Sequence, residues 1–296
     1  MSATSTKTIE SKLSTRGRSW FEALTGQPGK SNNKLDPTSL LVAEARLSNA
    51  DAKAKFLCIV PDPAARFPRA RDGEVGLEEA YALAAHVREV IDNHKSEDGE
   101  RTPIIAIVDV KSQAYGRREE TAAIHHAAAA AADAYASARM AGHPVVALVV
   151  GQALSGAFLT HGYQANRILA LDDPGVIIHA MHKESAARVT RRTVKELDKL
   201  AETIVPLSYD IKDFAKLGIL YALLQVTSAE HPQPADIALV KKAIAEAIKD
   251  ARKSPKDLSC RWLSKEASVT RGATLKTREA MFAQWSLKDE DICQST

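Results

Sequence analysis

Residues 145–163 read VVALVVGQALSGAFLTHGY, and the fold turns on how that stretch is taken. Six apolar residues, four of them Val, run without interruption into Gly151. A run so short and so β-branched predicts a strand buried on both faces, as in parallel sheets. Gly151-Gln-Ala-Leu-Ser-Gly156 then predicts a turn whose small residues let a backbone approach a ligand, and a short helix follows. Strand, glycine turn and helix start aim backbone N–H groups at one point. Such a point suits an anion, or an oxygen on which negative charge builds during reaction. The plain alternative is an ordinary tight strand-to-helix connection, and local chemistry does not separate the two.

The flanking sequence repeats the alternation. Residues 40–47, 55–60, 104–110, 168–171 and 176–179 predict strands, and 220–226 predicts a last buried segment. Residues 77–93 place apolar side chains on one helical face, and 119–140 predicts one long Ala-rich helix stopped by Gly142 and Pro144. Further helices are expected at 18–24, 193–203, 210–216 and 235–253. Strands alternating with helices predict an α/β layering with mostly parallel pairing and right-handed crossovers. After about residue 231 the chain reads as helices only, where Trp262, Phe282 and Trp285 await a core or a subunit contact. Residues 1–15 are polar and are expected to be disordered. Gly, Pro and Asn make 26–37 a loop, and 96–100 is an acidic loop.

Composition narrows the function classes. The formal net charge is +3 over 296 residues, with 45% hydrophobic content. So small an excess, with no basic stripe interleaved with aromatics, gives no reason to expect a nucleic-acid partner. Cys58, Cys260 and Cys293 are odd in number and far apart, so they form neither a disulfide framework nor a metal-ligand set, which fits a reducing cytoplasm. No secretory signal and no apolar run of about 18 residues is present, so a cytoplasmic chain without a membrane span is expected.

Known nucleotide motifs are missing. No G-x-G-x-x-G follows a strand, and Ala157 stands where a phosphate loop after Gly151 and Gly156 would need lysine. His179 and His182 are three apart, without a third ligand at suitable spacing; His125 and His126 point about 100° apart on a helix. Ser155 admits two readings: a helix cap satisfying an orphan N–H, or a nucleophile with His179 as its base. Gln113 to Gly116, after the strand 104–110, is a second candidate donor site on the same carboxyl edge of the sheet. Tyr115 and Arg117 would face whatever binds there, or sit on ordinary surface.

TPIIAIVDVKSQAYGRREE (102–120), the Ala-rich helix, PVVALVVGQALSGAF (144–158) and FAKLGILYALL (214–224) fall in an order that resembles crotonase-type carboxyltransferases. Within them the chain looks most like the γ subunits of biotin-independent malonate decarboxylases, to which RGRSWFEALTG (16–26) and LLVAEARL (40–47) are also similar. The likeness covers residues 16–230. It implies a crotonase-like (ClpP/crotonase) spiral of ββα units, with the helical region from 231 to 296 as an extension. It also implies a β subunit of related fold, an acyl carrier protein, and an acyl carrier protein transferase (α) subunit as partners. The pair would decarboxylate a malonyl thioester carried on a phosphoribosyl-dephospho-CoA arm, giving the acetyl thioester and carbon dioxide, with no cofactor bound by this chain. In that setting the backbone around Gly151, Gln152 and Gly156 is the expected anion hole. Tyr115, or a water held by Gln152, is the expected proton donor, with Gln113, Gly116, Arg117, Ser155 and His179 at the substrate.

One departure matters. Carboxyltransferase α chains carry G-E-G-G-S-G-G where this chain has Gly151-Gln-Ala-Leu-Ser-Gly-Ala. Fewer glycines leave less room for a biotin ring, which favours decarboxylation over carboxyl transfer. GQALSGAF also resembles the nucleophile region of caseinolytic serine proteases, with Ser155 and His179 at that dyad's spacing, although Pro206 stands where its acid is expected. A non-catalytic scaffold subunit is a third reading.

Overall fold

The computed structural model describes residues 13–29, 33–48, 53–94 and 100–285. Most of the polar N-terminus, part of the 26–37 loop, most of the acidic loop and Cys293 lie outside the described residues.

The chain opens with α1 (Arg16–Thr25), then β1 (Leu40–Arg46) and β2 (Lys53–Ile59), α2 (Leu77–Asp92) and β3 (Ile104–Val110). There follow α3 (Arg117–Thr121), α4 (Ile124–Met140), β4 (Val145–Leu154), α5 (Ser155–Thr160), β5 (Arg167–Leu171) and β6 (Ile177–His179). Helices α6 (Lys183–Val189), α7 (Val194–Ala201) and α8 (Ile211–Lys216) lead to β7 (Ala222–Leu224). The remainder is helical: α9 (Pro234–Lys253), α10 (Lys265–Thr270) and α11 (Gly272–Trp285). Seven strands make one sheet in the order β1-β2-β3-β4-β5-β7, with β6 pairing the far end of β4. Among the described residues only the β1–β2 pairing is antiparallel.

The uninterrupted apolar runs explain the centre of that sheet. Every residue of β3 is buried, and so are Val145 to Gly151 in β4, as strands covered on both faces require. Trp20 and Phe21 of α1 are fully buried. The Trp20 Nε1–H donates to the Ala229 carbonyl at 2.9 Å, so the first helix is seated against the chain 209 residues on.

Two local expectations are corrected. The glycine segment is not a turn: β4 continues to Leu154, with Gln152, Ala153 and Leu154 opposite Ile177, Ile178 and His179. The change from strand to helix is made at Ser155 alone, at φ 59°, a left-handed conformation that costs a non-glycine residue about 1 kcal/mol or more. Leu154 holds the N-cap position, without a side-chain cap, so Ser155 is not the cap. The expected single helix over 119–140 is broken at Ala123, at φ 61°. Glu119 and Ile124 are both buried, at 3% and 4% exposure. Five residues apart on one continuous helix they would point about 140° from each other, so the break is what turns both inward.

Candidate functional site

Because β3 and β4 run parallel, their carboxyl ends lie side by side. The register steps from Val108↔Val149 to Val110↔Ala153, so β4 bulges around Gly151. The Asp109 carboxylate fills that bulge, where it would overlap any Cβ placed on Gly151. This is why glycine stands at 151.

Asp109 is 7% exposed and gathers donors from two distant segments. Its Oδ1 accepts from the Gln152 N–H at 3.1 Å. Its Oδ2 accepts from the Ser14 hydroxyl at 2.5 Å and the Gly17 N–H at 3.2 Å. Beside it Arg16 donates to Asp173 at 2.8 Å and Glu230 at 2.7 Å. Sequence reading missed this cluster. Its signal was present: one acid inside the otherwise apolar IIAIVDV is a buried charge that must find donors.

Of the amides expected in the anion hole, that of Gln152 is therefore already spent on the chain's own carboxylate. A carboxylate under that end of β4 would also repel a second negative charge. A different donor stands out. The Gly156 N–H points to the Gln113 side-chain oxygen at 2.9 Å, an oxygen that another oxygen can replace by a rotation of Gln113. The start of α5 and the loop after β3 meet at that bond. Gln152 lies alongside, its side-chain oxygen buried and without a hydrogen-bond partner.

Gln113 is itself held by the bridge between its backbone and Val75: Val75 N–H donates to Ser112 O at 3.0 Å and Ala114 N–H to Val75 O at 2.8 Å. Gly116 backs onto the Glu119 carboxylate. Tyr115 is 59% exposed, and Arg117 is exposed at the start of α3; neither side chain contacts Gln113 or Gly156 through a hydrogen bond.

His179 ends β6, opposite Leu154, and so stands at the same sheet edge. Its ring is stacked on Tyr209 at 3.9 Å, and its Nδ1 is 3.1 Å from the Met181 carbonyl. Burial lowers its pKa, against the raising pull of that carbonyl, and the Lys183 charge lowers it further. Among the described residues no hydrogen bond joins His179 to Ser155, so the nucleophile–base pair expected for a peptidase is not assembled. No group of three or more His, Cys, Asp or Glu residues suited to a metal ion occurs among the described residues, and no helix there is long and apolar enough to cross a membrane.

Comparison with known proteins adds a family. The model of the malonate decarboxylase gamma subunit family matches residues 70–285. A crystal structure of a Pseudomonas malonate decarboxylase hetero-tetramer in complex with coenzyme A contains a chain 48% identical, at a TM-score of 0.84, covering 91% of this chain and 99% of that one. A Pseudomonas malonate decarboxylase MdcD–MdcE hetero-dimer matches at 48% identity and a TM-score of 0.81, with the same coverage. The malonyl-S-ACP:biotin-protein carboxyltransferase MADD of Malonomonas rubra is 36% identical over 212 residues, 70% of this chain and 71% of that protein.

Proposed function

This chain belongs to the malonate decarboxylase gamma subunit family, with its α/β crotonase-like fold, and from that membership we propose that it acts with a related β subunit to decarboxylate a malonyl thioester on an acyl carrier protein. The products are the acetyl thioester and carbon dioxide. Cleavage of the carbon–carboxylate bond leaves an enolate whose charge moves onto the thioester oxygen. In this reading that oxygen takes the place of the Gln113 carboxamide oxygen on the Gly156 N–H. A well-aimed donor in a site closed to water lowers such a barrier by about 3 kcal/mol. No carbon-bound proton has to be removed, so a strong base is not required. That agrees with a site in which the His179 ring is engaged by the Met181 carbonyl. The carbanion is then protonated by Tyr115, or by a water on the unpartnered Gln152 oxygen. The β subunit supplies a second set of donors, for the departing carboxylate or the enolate.

The observation that carries this reading is the likeness, over nearly the whole chain, to a malonate decarboxylase subunit. The test is co-purification with the neighbouring subunits followed by malonate-dependent carbon dioxide release, with and without carrier protein. Release that requires the carrier supports the reading; absence of release from the intact complex refutes it. A second reading has its own support, since the Malonomonas relative is named for transfer to a biotin protein. Carboxylation of added biotin carrier by the purified pair would favour transfer over decarboxylation. Labelling of Ser155 by a fluorophosphonate would revive the peptidase reading, and unchanged complex activity after substitution of Gln152 and Tyr115 would favour a scaffold.

A further inference from the structure

Between β6 and β7 the chain makes a helical excursion through α6, α7 and α8, and one of its side chains returns to the sheet edge. Tyr209, just before α8, lays its ring on that of His179, the centroids 3.9 Å apart and the planes 15° from parallel. Its hydroxyl donates to the Met181 carbonyl at 2.8 Å. The same carbonyl lies 3.1 Å from His179 Nδ1. One backbone oxygen thus holds both rings of the stack, and Lys183 Nζ sits 5.2 Å from the tyrosine centroid. Nothing in the local sequence ties Tyr209 to the site.

A carbonyl can only accept, so this contact puts the imidazole hydrogen on Nδ1 and leaves Nε2 a bare lone pair. The Met181 N–H, at 3.3 Å, is the longer contact to the same nitrogen. Nε2 has no hydrogen-bond partner among the described residues and is not sealed from solvent. Gln152 lies opposite Ile177 and Leu154 opposite His179, so Gln152 and His179 share one face of the sheet. Gln152 offers an acceptor there too, its buried and unpartnered side-chain oxygen. A malonyl thioester brings a carboxylate and a thioester carbonyl, both acceptors, so these atoms suit an N–H or O–H donor beside it. Charges around the stack are answered elsewhere. Lys183 pairs with Asp198 at 2.7 Å. On α8, Asp213 holds Ser208 at 2.7 Å and Lys216 at 2.6 Å, and Lys212 reaches Asp172 at 3.5 Å. Burial, with Glu184 and Asp198, pushes the Tyr209 hydroxyl up to about 12, so it remains a donor.

We propose that Tyr209 is a positioning residue. By its stack on His179 and its hold on Met181 it fixes the imidazole with the hydrogen on Nδ1, and presents Nε2 to the cleft as an acceptor. The donor that Nε2 takes is an N–H of the carrier's arm or the O–H of a bound water. For the use made of Nε2 the inference rests on the decarboxylase reading above; the stack and the tautomer stand apart from it. A ring held from a second element keeps one orientation and one tautomer, which is what a small polar site needs of its outer support.

The experiment has two arms, both on the intact multi-subunit complex. In the first, this chain carries ring-¹³C histidine, and the His179 signals are assigned through His179→Gln. Burial lowers the His179 pKa, against the raising pull of the Met181 carbonyl and with the help of Lys183. His179 should therefore titrate below about 6.5 in the wild type, with the Cδ2 shift of the Nδ1–H tautomer. Tyr209→Ala should move that titration upward and mix the tautomers. Tyr209→Phe, which keeps the stack, should restore most of both. In the second arm, kcat/KM for malonyl carrier is followed against pH. Only neutral His179 has a bare Nε2, so the rate falls as the pH drops through its pKa. Tyr209→Ala should shift this acid limb upward and cost about tenfold near neutral pH, most of it recovered in Tyr209→Phe. Added to His179→Ala, it should cost less than about twofold more. The milder Tyr209→Leu should move the limb the same way, so the test survives if the alanine variant folds poorly. On a malonyl thioester whose thiol bears no amide, the loss vanishes if the arm is the donor and persists if water is. Hydrogen found on Nε2, a titration and acid limb unmoved in both variants, or losses that simply add to those of His179→Ala overturn the proposal. Should the wild-type complex release no carbon dioxide, the decarboxylase reading falls, and the histidine spectra still decide whether Tyr209 fixes His179.

Discussion

At the scale of single residues, Gln113 is the side chain whose replacement says most. Its carboxamide oxygen sits on the Gly156 N–H, so Gln113→Glu would place a full negative charge there and hold that donor permanently. The complex carrying it is expected to lose about a hundredfold in kcat, the usual effect of losing one such donor. Gln113→Ala should leave kcat within about threefold and lower KM, since nothing then competes with substrate for the N–H. Steady-state kinetics on the two variants distinguish a competitor oxygen from a merely structural one. His161 offers a test of the core. It is fully buried, its Nε2–H donating to the Ile107 carbonyl at 3.0 Å and its Nδ1 accepting from the Tyr135 hydroxyl at 3.0 Å. Burial lowers its pKa from 6.5 to about 4, against the raising pull of the Ile107 carbonyl. Between those values the unfolded chain takes up a proton that the native state refuses. The stability it gives is therefore complete above pH 6.5 and falls as the pH drops toward 4, by about 3 kcal/mol in all. Urea titrations across that range should show the loss, and His161→Gln should flatten it.

At the scale of elements, the sheet edge is organised by Asp109. It ties Ser14 and Gly17 at the start of α1 to Gln152 in β4. Asp109→Asn replaces one accepting oxygen by an amide that points hydrogens at other hydrogens. A loss of about 2 kcal/mol is expected from the charged hydrogen bonds removed. Faster amide exchange should appear in α1 and in 151–154 and not in α4; uniform exchange throughout would contradict the tie. The strands of this edge were legible because their apolar runs are short, branched and bounded. The likeness of 102–120 and 144–158 to carboxyltransferases was legible for the same reason, since the runs and the glycines keep their order. What the sequence hid is tertiary. Nothing local says that Gln152 donates to a carboxylate 43 residues earlier, or that an Ala-rich helix must break at Ala123 to bury Glu119. Nor does the residue type of Ser155 announce a left-handed backbone, a conformation that glycine adopts far more readily.

At the scale of the molecule, the helices beyond residue 231 are joined to the sheet by buried arginines. Arg167 of β5 is bonded to Asp250 and to the Ser254 hydroxyl, and Arg261 donates to the carbonyls of Tyr163 and Ala165. Val240, Ile244, Ala247 and Ile248 of α9 are buried. A chain ending at 231 would strip Arg167 of Asp250 and Ser254 and would uncover that apolar seat. It is expected to lose near-ultraviolet circular dichroism and to precipitate; a soluble, cooperatively melting product would refute the dependence. The exposed Phe282 and Trp285 of α11 are 77% and 73% accessible, in contrast to the buried side of α9.

The seat of α1 also bears on how the protein is made. Trp20 and Arg16 find their partners at Ala229 and Glu230, 209 residues separating Trp20 from Ala229. A ribosome adding about 5 to 20 residues per second needs roughly 10 to 40 seconds to deliver that stretch. For all of that interval the newborn amino-terminal segment carries an indole whose hydrogen-bond partner does not yet exist, while the Phe21 ring already has Gly29 beside it.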